Sequence, residues 1–176
     1  GSGWLKGDTV VTREPGGGIK IEGSWRVPAA VVEYGDASYL VGTDGAPMSL
    51  PFGARPGGHW YRVLGPALPP PTRTIAREGG AQFDAVAWGE PWPGGDVQDG
   101  IALIRTLNAT PELLKQTSTG RIVDRIVAVD LSRYMRTESS ELRLRTDMGG
   151  TIVWGSPIGQ DAPGEVAVDV KLRNIA

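Results

Sequence analysis

Cysteine is absent from the 176 residues. That excludes a disulfide framework, thiolate catalysis and cysteine-built zinc sites. It leaves the redox compartment open, because a cysteine-free chain is stable on either side of a membrane. Histidine is nearly absent: His59 is the only one, so a Ser-His-Asp triad would have a single candidate base. His59 precedes Trp60-Tyr61 at the entrance to an expected strand, and no nucleophile motif accompanies it. A surface or packing role is the better reading. Long apolar runs are also missing; none approaches the ~20 residues that a membrane-spanning helix needs. Neither sign of charge is in excess, with 18 Lys and Arg against 20 Asp and Glu. A formal charge of -2 gives no basic footprint for nucleic acid and no polybasic membrane patch. No signal peptide is visible. Gly1-Ser2-Gly3 reads as a cloning remnant, so the natural N-terminus is expected to have been cut away.

Glycine and proline, by contrast, are plentiful, at 26 and 14 residues. They punctuate short apolar runs, which is the pattern of a strand-rich fold with many turns. Thr9–Thr12 is β-prone, and Glu14-Pro15-Gly16-Gly17-Gly18 is a turn. Ile19 and Ile21 then alternate with Lys20 and Glu22, as in a half-buried strand. Ala29–Tyr34 and Ser38–Val41 form a hairpin around Gly35-Asp36. Thr43-Asp44-Gly45 is a further turn, and Trp60–Leu64 a further strand. The stretch 66–95 is rich in Pro and Gly and weakly periodic. It is expected to be a long surface loop, with at most a short β segment around Phe83 to Ala87.

Asp96 is a good N-cap, with Asp99 near the positive end of the helix that follows. Val97, Ile101, Ile104 and Leu107 give that helix one buried stripe. Thr110-Pro111-Glu112 starts a second, short helix containing Leu113 and Leu114. Arg121–Leu131 is the strongest strand run. Glu141–Thr146 alternates, Asp147-Met148-Gly149-Gly150 turns, and Thr151–Trp154 returns. Glu165–Ile175 suits a helix by the spacing of Val168 and Leu172, and a strand by its valines. Strands, loop, helices and strands in that order predict an α+β fold, mainly an antiparallel sheet with two or three helices on one side. The expected core is Ile19, Ile21, Val31, Leu40, Val41, Ile101, Ile104, Ile126, Val127 and Leu144.

Each possible chemical motif has a plainer explanation. Gly155-Ser156-Pro157-Ile158-Gly159 is not a nucleophile elbow, because its serine follows the first glycine directly. Asp96 and Asp99 lie one helical turn apart, but capping and the helix dipole account for both. Gly16-Gly17-Gly18 lacks the Lys-Ser/Thr of a phosphate loop. Trp88 and Trp92 could stack on a sugar or grip a partner; anchoring the long loop to the sheet is the favoured reading. Arg143 and Arg145 share a strand face, and a solvated face suits them better than a phosphate site. No catalytic residue, cofactor site or metal site is expected.

One stretch resembles a known family. Ile19-Lys20-Ile21 followed by Arg26-Val27-Pro28-Ala29-Ala30-Val31-Val32 is similar to the end of the POTRA domain and the first β-domain strand in bacterial cell division proteins of the FtsQ/DivIB family. Tyr39-Leu40-Val41-Gly42-Thr43-Asp44-Gly45 resembles the segment that follows there, although Gly42 replaces the usual acidic residue. Leu142 to Gly155 resembles the family's later hairpin. The resemblance implies a remnant of a POTRA domain over 1–27 and a β-domain over 28–176, with an unusually long loop at 66–95. It implies a non-catalytic scaffold of the septum, on the extracytoplasmic (periplasmic) face of the inner membrane, anchored by an N-terminal transmembrane helix not present here. The implied partners are divisome proteins, FtsB-like and FtsL-like, bound by β-augmentation. The residues expected to receive them are Leu142, Arg143, Leu144 and Arg145, with Thr151, Ile152, Val153 and Trp154. The rival reading is a carbohydrate- or cell-wall-binding β module using Trp60, Trp88 and Trp92.

Overall fold

The computed structural model describes residues 3–50, 60–109, 122–134, 141–160 and 162–175. His59 and the expected helix at Thr110–Leu114 lie outside them. The fold is α+β. Its centre is a seven-strand sheet in the order β11-β10-β9-β6-β3-β4-β5. In chain order, these strands are β3 (Pro28–Tyr34), β4 (Ala37–Gly42), β5 (Pro47–Met48), β6 (Arg62–Leu64), β9 (Ile126–Asp130), β10 (Leu142–Thr146) and β11 (Thr151–Gly155).

The sheet is mixed: most of its joins are antiparallel, as expected, but two are parallel. β3 pairs with β6, and β6 with β9, in parallel. The hairpins β3–β4 and β10–β11 and the joins β4–β5 and β9–β10 are antiparallel. Parallel neighbours need a crossover. Between β6 and β9 the chain runs through α1 (Asp96–Ala109), which packs on β3, β6 and β9. Its stripe is the expected one: Val97, Ile101, Ile104 and Leu107 are buried, joined by Leu103. Gly100 faces the sheet closely; a Cβ there would already touch Val63 and Leu131 at 3.5 Å.

Alternation sorts the strands by face. Ala30 and Val32, Val41, Val63, Val129 and Leu144 join α1 in one core. Glu165–Ile175, open between helix and strand, resolves as helix α2 (Val168–Ile175), which buries Leu172 and Ile175 in the same core. The strand expected over Arg121–Leu131 begins later than its apolar run, after a 3₁₀ turn at Ile122–Arg125.

Two ribbons stand apart from the sheet, and both overturn expectations. β1 (Val10–Arg13) pairs only with β2 (Ile19–Glu22). Ile19 and Ile21, expected in the core, are 71% and 54% exposed, because among the described residues no second layer lies on this ribbon. Val127 is likewise exposed: the β9–β10 register shifts beside it, where Thr146 pairs with Ile126. The other expected core residues, Val31, Leu40, Val41, Ile101, Ile104, Ile126 and Leu144, are buried. The stretch 66–95 is not simply a loop. It carries a second ribbon of β7 (Thr72–Ala76) and β8 (Gln82–Val86), closed by Gly79 and Gly80 at φ of 100° and 85°, a region that glycine enters without steric cost.

Candidate functional site: an open sheet edge beside an ion-paired cleft

The eight residues expected to bind a partner divide between two strands of different status. β10, with Leu142, Arg143, Leu144 and Arg145, lies inside the sheet, paired on both sides. Only β11, with Thr151, Ile152, Val153 and Trp154, is outermost, with no further strand beside it among the described residues. Leu142, Leu144 and Trp154 are buried in the core, and Ile152 packs against it. Val153 points the other way and is 60% exposed.

The two arginines are held in place. Arg143 pairs with Glu141 at 2.5 Å. Arg145 donates to Asp130 Oδ2 from Nε at 2.9 Å and from Nη2 at 2.5 Å, and to Thr151 Oγ1 at 2.7 Å. Burial would raise the Asp130 carboxyl, but the Ser132 hydroxyl and N–H and the Arg145 guanidinium outweigh it and hold it below its usual value. This face is therefore neutralised from within.

Backbone phase decides which amides the edge offers. Thr146 N donates to Gly150 O at 3.0 Å, so the pair Thr146/Gly150 is hydrogen-bonded. In an antiparallel ladder, hydrogen-bonded pairs recur every second residue. Leu144/Ile152 is then the next such pair, and Arg143/Val153 between them is not. The amides of Thr151 and Val153 therefore face away from β10, toward the open edge. The register shifts between Leu142 and Arg143. Leu142 pairs with Gly155 there, and Trp154 is the extra residue of the bulge.

At its far end the edge runs into a cleft of about 510 Å³ lined by Val153, Trp154, Gly155, Glu165, Lys171 and Asn174, among others. Glu165 organises it. Its Oε1 accepts from Ser156 N at 2.8 Å and from the Lys171 ammonium, and its Oε2 accepts from Ala162 N at 3.1 Å. Burial would raise this carboxyl, but the Lys171 ammonium and these N–H donors outweigh it and bring it down to about 2. Lys171 Nζ also lies 5.0 Å from the centroid of the Trp154 ring, a cation–π arrangement. The Trp154 indole N–H is buried with no hydrogen-bond partner among the described residues. Sequence reasoning missed Glu165 and Lys171. They lie six residues apart, across a turn and the start of a helix, and no local pattern couples them.

The other candidates resolve as structure. Trp92 is 1% exposed; its indole donates to Leu68 O at 3.0 Å and its ring meets Tyr39 edge-on at 5.5 Å. Trp88 leans on Tyr39 at 6.5 Å. Trp60 lies elsewhere, in a separate cleft with Tyr61, Ile104 and Arg105. These three rings form no shared sugar platform. Asp96 accepts from Ala67 N at 2.7 Å and Val97 N at 2.9 Å. Asp99 accepts from the Tyr134 hydroxyl; burial and this carboxylate together raise the phenol's pKa. Among the described residues no three His, Cys, Asp or Glu side chains converge as metal ligands, and no helix is long and apolar enough to cross a membrane.

Arg26 is a second feature that the sequence did not announce. Its side chain is buried. Nη1 donates to Gly3 O at 2.6 Å and Leu5 O at 3.1 Å, Nη2 to Gly89 O at 2.9 Å, and Nε to Asp44 Oδ2 at 2.8 Å. Gly42 makes room for it, since a Cβ there would sit 2.5 Å from Arg26 Cγ. The carboxylate comes instead from Asp44, two positions later. Gly3, expected to be a cloning remnant, is buried against this cluster.

Comparisons with protein-family models, with curated proteins and with solved structures find no significant match.

Proposed function

We propose that this chain is a non-catalytic scaffold domain of a bacterial division protein, similar to the FtsQ/DivIB β-domain, and that it binds an extended segment of a divisome partner along β11. The observation that carries this reading is the open β11 edge. It offers outward amides at Thr151 and Val153, an exposed Val153 side chain, and a cleft at one end that can receive a partner's side chain. Backbone bonds to such an edge supply affinity, and pockets for alternate side chains supply selectivity. Arg143 and Arg145, already paired within the fold, keep the neighbouring face neutral. On this reading the domain works on the extracytoplasmic face of the inner membrane, held there by an anchor upstream of residue 1, with FtsB-like and FtsL-like proteins as partners.

The test uses proline, which removes one backbone donor. Val153→Pro deletes an amide that faces the edge and leaves the β10–β11 ladder intact. It should abolish binding of an FtsB-like peptide in calorimetry, while circular dichroism stays that of the parent. Arg143→Pro is the contrasting variant. Its amide faces β9, so it should weaken the fold itself. A folded Val153→Pro protein that binds the peptide as tightly as the parent would sink the assignment.

A further inference from the structure

The ribbon β7–β8 has a built root and a free tip. At the root, Ala87 N donates to Pro71 O at 2.8 Å. Close by, the Trp92 indole and the Asp96 carboxylate fix Leu68 and Ala67. Beyond the root, among the described residues, β7 and β8 pair only with each other. A two-stranded ribbon alone is marginal in water and gains from a third strand.

Its two faces differ in chemistry. The register pairs Arg73 with Ala85 and Ile75 with Phe83. Strand alternation therefore puts Arg73, Ile75, Arg77 and Phe83 on one face, and Thr72, Thr74 and Asp84 on the other. Thr74 and Asp84 satisfy each other at 2.9 Å. On the first face Phe83 is 47% exposed, and the Arg77 guanidinium lies 5.8 Å from its ring centroid. Neither Arg73 nor Arg77 has a carboxylate partner among the described residues. The face thus carries two unpaired cations, about 13 Å apart along the strand, on either side of an apolar cross-strand pair.

The backbone phase gives this face an edge that fits it. The pairs Pro71/Ala87 and Arg77/Ala81 are hydrogen-bonded, the latter through Arg77 N to Ala81 O at 2.8 Å. By alternation, Arg73 and Ile75 also turn their amides toward β8. Thr72, Thr74 and Ala76 then turn theirs outward. An antiparallel strand laid along β7 would bond to those three residues. It would place its own side chains directly opposite Arg73, Ile75 and Arg77 in non-hydrogen-bonded pairs, where side chains approach most closely.

We propose that the free edge of β7 binds an extended acidic segment of a partner protein, of the pattern acidic–any–apolar–any–acidic. The two carboxylates pair with Arg73 and Arg77, and the apolar residue covers Ile75 and Phe83. Charge complementarity selects this occupant. A row of outward amides is matched by another backbone; an anionic bilayer could neutralise the arginines but would leave that row without strand partners. The surface is separate from β11, so each can bind or fail independently of the other.

The test is a nitrogen-15 NMR titration of the whole chain with two synthetic peptides, Thr-Glu-Thr-Val-Thr-Glu-Thr and Thr-Lys-Thr-Val-Thr-Lys-Thr. The glutamate peptide should shift the amides of Thr72 to Arg77, and the lysine peptide should leave them in place. In the double variant Arg73→Glu, Arg77→Glu, both exposed on the ribbon, the preference should invert, with the glutamate peptide weakened at least about tenfold. Thr74→Pro should remove binding of the glutamate peptide. Equal response to the two peptides, an unchanged preference in the charge-reversed protein, or shifts confined to β11 would each overturn the proposal. So would Arg73- and Arg77-dependent capture by phosphatidylglycerol vesicles without any peptide response, or self-association through the ribbon in sedimentation.

Discussion

The ribbon β1–β2 and the hairpin β3–β4 follow one another in the chain and are built from similar residues, yet they end in opposite environments. Val10, Val11, Ile19 and Ile21 are all exposed, whereas Ala30, Val32 and Val41 are all buried in one core. Both segments pair antiparallel over four or more residues, so ladder hydrogen bonds do not distinguish them. What differs is the layer above: α1 lies on β3, and nothing among the described residues lies on β2. Strand pairing gives a segment its shape, and a second layer of side chains supplies its stability, because burial of apolar area is the dominant favourable contribution.

Three measurements bear on that contrast. The largest effect should come from the layered region: Ile104→Ala, in the middle of the α1 stripe, should cost about 2–5 kcal/mol in chemical denaturation. A value near zero would mean that α1 does not hold the sheet.

A moderate effect should appear with pH, at the margin between the layers. The Glu165 carboxyl is held at about 2 in the fold, against an ordinary value of 4.5. The folded state therefore binds its proton more weakly than the unfolded chain does. Its stabilising contribution is complete above about pH 4.5 and is lost as pH falls toward about 2. Glu165→Gln should flatten the stability-versus-pH curve in that window and leave its shape above pH 5 unchanged. An unaltered slope would remove Glu165 from the account of the cleft.

The smallest effect belongs to the bare ribbon. Ile21→Ala should change stability by no more than about 0.5 kcal/mol, as is usual for exposed sites. A loss comparable to that of Ile104→Ala would show that the ribbon is covered in solution and would dissolve the contrast.

Much of the fold was legible in the sequence for reasons these elements make clear. The hairpin around Gly35-Asp36, the stripe of α1 and the β10–β11 hairpin each depend on neighbours within a few residues, and periodicity records such neighbours. The parallel joins of β6 were not legible. β6 is three residues long, and the choice of partner was made by a crossover, which leaves no local trace. Ile19 and Ile21 misled because alternation reports two different faces without saying whether either meets a second layer. At the candidate site, the inward phase of Leu142, Leu144, Ile152 and Trp154 could be read directly. The interior status of β10 could not, since it depends on β9 arriving from elsewhere. Glu165, Lys171 and Arg26 were invisible for the same reason: their partners are set by three-dimensional proximity.

Arg26 has one further consequence for a chain without cysteine. Its guanidinium joins Gly3 and Leu5 to Gly89 and Asp44, clasping the segment before β3 and a loop 63 residues away in sequence. Topologically this is what a crosslink does, closing loops that would otherwise be free to open. Unlike a disulfide, the clasp needs no oxidant to form and no isomerase to correct its pairing, and no thiol can undo it. A domain closed in this way can reach its final connectivity in a reducing or an oxidising compartment, as soon as Gly42 lets the arginine side chain settle.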